Sequence, residues 1–247
     1  MSSIKHFKVQ SIVFDLFHTL VDPENYRPKE FRRDSKLAEL FKLDQNAFSK
    51  YWSDTHVERY TSRSRKTLDY VEKYVEKTTG KSCSREDLMV AEFILGRYQD
   101  LAIRNPDPLV RQTLAKLKYG GIKLGLLSNV DEREVSSWPY SSLAQLFDAV
   151  CFSCDIGYMK PSKESYSLVL NKLGTLAQSS VYVGDGGSDE LAGAKDAGFG
   201  LVVFMRGHVA KNGLKREDEI RKLADIADLT IDNLIEIPFL IDKVGKD

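Results

Sequence analysis

Apolar residues run along this chain in two rhythms. Six short, largely β-branched runs occur at 9–15, 122–127, 148–152, 180–184, 201–204 and, more weakly, 228–231. Their length and bounding turn residues predict strands. From residue 105 onward these runs alternate with helical patterns. Asp107-Pro108 opens a helix that Gly120-Gly121 ends, and Pro161-Ser162 opens another that Gly174 ends. A third runs from Asp189 to Ala197 and stops at Gly198. Such alternation specifies βαβ units and a parallel sheet.

Residues 22–104 follow the other rhythm, with amphipathic stretches at roughly 28–43, 44–61, 67–79 and 84–103. Leu37, Leu40 and Phe41 share one helical face, as do Val71, Tyr74 and Val75. Ser84-Arg-Glu-Asp87 resembles a capping box with Asp in the last place. The expected class is therefore α/β: a Rossmann-like parallel sheet flanked by helices. The core would come from 1–21 and 105–247, and 22–104 would be an inserted all-helical cap domain.

Composition narrows the partners. The chain has 247 residues, and its 36 Lys+Arg balance 36 Asp+Glu, so no global charge points to nucleic acid or an anionic membrane. The first residues lack the apolar core of a secretory signal, and no run approaches the roughly 18 apolar residues of a membrane span. Three cysteines are too few for a disulfide framework, so a cytoplasmic setting is expected. Cys151-Phe-Ser-Cys154 matches C-x-x-C but reads as the continuation of a strand, so bystander thiols are expected.

The candidate chemistry sits where strands end. Asp15 closes the first run, Ser128-Asn129 follows the second, Lys160 comes just after the third, and Asp185 follows the fourth. Open parallel sheets bind ligands at the C-terminal ends of their strands. A carboxylate at the end of a buried strand is costly unless a cation neutralises it. Two of them suggest a shared metal or an anionic substrate.

In order and spacing these stations resemble the haloacid dehalogenase superfamily, a group dominated by magnesium-dependent phosphatases. Its first motif, Asp-x-Asp-x-Thr, reads here Asp15-Leu-Phe17-His18-Thr19; its second matches Ser128, its third Lys160-Pro161, and its fourth, Gly-Asp-x-x-x-Asp, matches Gly184-Asp185 through Asp189. The resemblance implies Asp15 as nucleophile, and Mg²⁺ held by Asp15, the Phe17 carbonyl, Asp185 and Asp189. It also implies that Lys160, Ser128 and Asn129 bind the phosphoryl group of a small phosphorylated substrate. Asp189 has a second reading as the N-cap of the helix after it. His18 replaces a residue that is more often Gly; it is expected to pack or meet solvent, and is carried as a substrate contact. Thr19 is expected to fix the loop, and Arg63, Arg65 and Lys66 to form a solvated turn, with anion recognition as the sharper reading.

Phe17 occupies the place of the second Asp, which protonates the leaving alcohol in the phosphatases of this superfamily. The resemblance then implies weakened acid–base catalysis. Two rivals follow: a 2-haloacid dehalogenase using Asp15 without metal, and a phosphate-binding protein with little turnover. Substrate identity and oligomeric state have no readable signal.

Overall fold

The computed structural model describes residues 7–244. Six parallel strands form one sheet: β1 (Ser11–Phe14), β2 (Lys123–Ser128), β3 (Ala149–Phe152), β4 (Ser180–Gly184), β5 (Leu201–Met205) and β6 (Leu229–Ile231). Their order is β3-β2-β1-β4-β5-β6, so β1 lies between β2 and β4, where the chain reverses its direction of travel across the sheet. Phe14 registers with Leu126 on one side and Val183 on the other. The Asp15 amide extends that ladder by donating to the Val183 carbonyl at 2.9 Å.

The pleat sorts the core. Ile12 and Phe14 join Leu126, Val183 and Val203 on one face, while Val13 joins Leu127, Tyr182 and Val202 on the other. Both faces are covered by helices, which is why these strands read as continuous apolar runs.

Five helices occupy 33–104: α1 (Arg33–Leu40), α2 (Gln45–Asp54), α3 (His56–Thr61), α4 (Thr67–Thr79) and α5 (Arg85–Arg104). The amphipathic stretch over 44–61 is divided between two helices at Thr55, which caps α2 and starts α3. These helices share a separate apolar cluster of Leu37, Phe48, Val71, Val75, Ala91 and Leu95, with Leu40, Phe41 and Tyr74 packed against it. Ser84 accepts from the Asp87 amide at 3.0 Å, but its own hydroxyl, rather than its amide, closes the box on the Asp87 carboxylate.

The remaining helices are α6 (Pro108–Tyr119), α7 (Ser153–Ile156), α8 (Lys163–Leu173), α9 (Glu190–Asp196), α10 (Gly207–Lys211), α11 (Glu217–Ile226) and α12 (Ile237–Val244). Asp107 and Ser162 cap α6 and α8 as their positions before the helices imply. Cys154 lies in α7 rather than in a continued strand, yet both it and Cys151 are buried and free. Burial, helped by the neighbouring Asp155, pushes the Cys154 thiol up to about 12, the opposite of a redox cysteine. Among the described residues no helix is long and apolar enough to cross a membrane.

Candidate active site

Three neighbouring strands deliver their ends to one pocket. Asp15 follows β1, Ser128 ends β2, and Asp185 follows β4; all three are buried. Lys160 reaches them from the segment between α7 and α8, also buried. With Phe17 and His18 these residues line a cavity of about 180 Å³.

Lys160 organises the floor. Its ammonium donates to Asp15 Oδ1 at 2.5 Å, to the Tyr182 hydroxyl at 3.1 Å, and to Glu190 Oε2. Ser128 Oγ also donates to Asp15 Oδ1, at 3.2 Å. Asn129 does not face the cavity with a free amide: it accepts from the Lys160 amide at 2.7 Å and donates to the Lys160 carbonyl at 2.9 Å. The structure thus places Asn129 on the lysine, where the resemblance implied the phosphoryl group.

Glu190 is the member that the motif reading passed over. Its Oε1 accepts from the Gly186 amide at 2.9 Å and its Oε2 from the Tyr182 hydroxyl at 2.6 Å, while Tyr166 donates to its carbonyl at 2.8 Å. Gly184 is what lets it in: a Cβ there would stand 2.2 Å from Glu190 Oε1. Helical spacing held the missing signal, since Glu190 shares the inward face of α9 with Gly193 and Ala194. Asp189, by contrast, is exposed with φ of +53° and makes no side-chain capping bond, so its N-cap reading is not met.

Carboxylate oxygens of Asp15, Asp185 and Glu190 can all lie within 4.8 Å of one another. Among the described residues only Lys160 pairs with this group, and Asp185 accepts only from the Gly187 amide, at 3.0 Å. Burial pushes the Asp15 carboxyl up; Lys160 draws it back and Glu190 adds to the rise. Burial likewise raises Glu190 against the pull of Lys160. Burial also works against the Lys160 charge, but Asp15 and Glu190 more than offset it and hold the ammonium protonated. The site has more carboxylate than cation, and its free donors are hard oxygens. Both properties fit Mg²⁺.

Phe17 is half-buried, and its bridge to Val21 closes the loop after β1. His18 lines the cavity with φ of +59°, its Nδ1 lying 3.8 Å from the buried Asp22. Thr19 is fully buried within the loop. In the basic segment, Arg65 pairs with Glu58 at 2.6 Å, Lys66 is exposed, and Arg63 donates to the Ile156 carbonyl. Its side chains therefore meet solvent, Glu58 and the Ile156 carbonyl.

The fold and this constellation agree with the comparisons. A haloacid dehalogenase-like hydrolase family profile matches residues 9–198, and the chain belongs to that family. A glyceraldehyde 3-phosphate phosphatase of Methanothermobacter thermautotrophicus is 30% identical over 51% of this chain and 60% of its own length. The corresponding phosphatase of Methanocaldococcus jannaschii is 29% identical, over 60% of this chain and 61% of its own length. The chain thus matches about six tenths of the length of these curated relatives. A ribulose-1,5-bisphosphate 5-phosphatase of Halopiger xanaduensis is 24% identical over 78% of this chain and 84% of its own. Among solved structures, a phosphatase of the same superfamily from Thermococcus onnurineus superposes with a TM-score of 0.61 at 21% identity, covering 94% of this chain and 98% of its own. An L-2-haloacid dehalogenase from Xanthobacter autotrophicus, with chloropropionic acid covalently bound, gives 0.57 at 20% identity, covering 95% and 98%. These two likenesses establish the fold.

Proposed function

We propose that this protein is a Mg²⁺-dependent phosphatase that hydrolyses a small phosphorylated metabolite through an aspartyl-phosphate on Asp15. The observation that carries this reading is Asp185: a buried carboxylate beside Asp15 with no cationic partner among the described residues. A metal-free dehalogenase would leave that charge uncompensated. The phosphatase names of the relatives point the same way.

Asp15 and Asp185, with the main-chain carbonyl of Phe17, would hold the ion, and Asp189 would contribute little from its exposed position. Mg²⁺ would supply charge neutralisation at the dianionic phosphoryl group. Lys160 and Ser128 both engage Asp15 Oδ1, which leaves Oδ2 to form the bond to phosphorus as the ester P–O bond breaks. Glu190 and Asn129 hold Lys160, Glu190 at its ammonium and Asn129 at its main chain. Phe17 can neither protonate the leaving oxygen nor activate water. Acyl and aryl phosphates, which leave without a proton, are therefore the favoured test substrates. The helices of 33–104 act as a cap that excludes water and selects the substrate.

Acetyl phosphate and an aryl phosphate, each with and without Mg²⁺, provide the test, beside a 2-haloacid. Mg²⁺-dependent phosphate release that Asp15→Asn abolishes is expected. Metal-independent halide release would replace the proposal with dehalogenation. Binding of beryllium fluoride without turnover would replace it with a phosphate-binding role.

A further inference from the structure

A second cavity, of about 380 Å³, lies between α1, α2, α3 and the loop that follows β2. Arg59 lines it and is 4% exposed. Its guanidinium carbon lies 3.7 Å from the centre of the Trp52 ring, and Nη1 donates to the Trp52 carbonyl and to Thr55 Oγ1, each at 2.6 Å. Nε is buried without an acceptor. Among the described residues neither Nε nor Nη2 donates a hydrogen bond, and no carboxylate pairs with this arginine.

The other arginines of the cavity are satisfied. Arg33 pairs with Glu134 at 2.6 Å and Arg32 with Asp34 at 3.1 Å. Asp131, also on the cavity wall, accepts from the Arg133 and Glu134 amides, each at 3.1 Å, rather than from a cation. Burial and the adjacent Glu134 push its carboxyl up to about 7, so at neutral pH it cancels only part of the Arg59 charge. A buried cation whose neutral acceptors occupy one nitrogen is costly unless an anion completes it. The Nε–Nη2 edge left over presents two parallel N–H donors, the geometry that grips both oxygens of an oxyanion.

We infer that this cavity binds a carboxylate or phosphate oxyanion on the Nε–Nη2 edge of Arg59. Trp52 and Thr55 hold the guanidinium in place for it, and the exposed Ser53 and the half-buried His56 also line the cavity. Asp131 stands three residues after Ser128, so the cavity borders the loop that carries part of the candidate active site. The oxyanion is either a second acidic group of the substrate or a separate small anion.

Acetate is the first probe, because it lacks the phosphoryl group that the Asp15 pocket would take; inorganic phosphate is the second. The NMR signal of the Arg59 Nε–H group, assigned by its loss in Arg59→Lys, is followed during each titration. A saturable shift is expected, with acetate binding by calorimetry weakened at least about tenfold in Arg59→Lys and in Ser53→Trp, which puts a bulky ring on the cavity wall. An Arg59 signal that neither probe moves, even far above millimolar concentration, overturns the proposal whether or not the variants fold. Kinetics then separate the sources, an arm that rests on the phosphatase reading. A rise in KM confined to phosphoglycolate, and absent with ethyl phosphate, assigns the oxyanion to the substrate; equal kinetics with retained acetate binding assign it to a separate anion. Absence of phosphate release from the unsubstituted protein would count against the phosphatase reading and leave the NMR result standing.

Discussion

Asn129 brackets the main chain of Lys160, its Oδ1 accepting from the lysine amide at 2.7 Å and its Nδ2 donating to the lysine carbonyl at 2.9 Å. The lysine that neutralises Asp15 is therefore held at its backbone by one strand end and at its ammonium by Asp15 and Glu190. Asn129→Ala frees the backbone and lets the ammonium drift. A misplacement of about 1 Å costs on the order of 10² in rate, so kcat for an aryl phosphate should fall roughly 10- to 100-fold with a smaller change in KM. Losing the two bonds should also cost about 1–3 kcal/mol of stability. Steady-state kinetics and a denaturant melt on the same preparation check both.

The acids of the fourth motif divide by burial. Asp185 is buried beside Asp15, whereas Asp189 is exposed and lies outside the group that Asp15, Asp185 and Glu190 form. Asp185→Asn should weaken the apparent Mg²⁺ affinity at least about 10- to 100-fold, the range seen when carboxylates around a metal are lost. Asp189→Asn should change it by less than about threefold, since exposed charges interact weakly. A Mg²⁺ titration of phosphate release in the two variants decides between them; equal losses would bring Asp189 into the metal site.

The strands and their order of use were legible because burial on both faces writes parallel strands as apolar runs, and caps such as Asp107 and Ser162 mark where helices begin. Asp15, Ser128, Lys160 and Asp185 were legible because strand ends converge in this sheet. Glu190 was harder to read, since it stands next to an acid that fits the motif, and its only signal was the helical spacing that puts it on the inward face of α9 with Gly193 and Ala194. The role of Asn129 was equally hidden: its partner is a main chain 31 residues away. The Arg59 cavity left no linear trace, because its walls come from three helices and one loop of the sheet.

Phe17 lines the candidate site where a proton-transfer carboxylate would stand. General acid–base help contributes on the order of 10²–10⁴ in rate. Phe17→Asp should therefore raise turnover of an alkyl phosphate well beyond that of acetyl phosphate, which needs no proton to leave. A ratio of the two enhancements near one would mean that a carboxylate at position 17 does not reach the leaving oxygen.

Asp131 gives the fold a pH dependence of its own. Burial is the main cause, and Glu134 the second, of a carboxyl pushed up to about 7 from the usual carboxylate range, while Arg33 and Arg59 draw it down. The folded state thus binds more protons than the unfolded chain between about pH 4 and 7, so stability falls as pH rises through that window and levels off above it. A shift of this size corresponds to at most about 4 kcal/mol, and about 1–3 kcal/mol is the working expectation. Asp131→Asn removes the charge and keeps an oxygen that can accept from the Arg133 and Glu134 amides. The variant should be more stable than the parent by that amount at pH 8 and by only about a third of it at pH 5. Denaturant melts at the two pH values measure the difference directly; a gain that is the same at both would show that Asp131 is already ionised in the folded protein at pH 5.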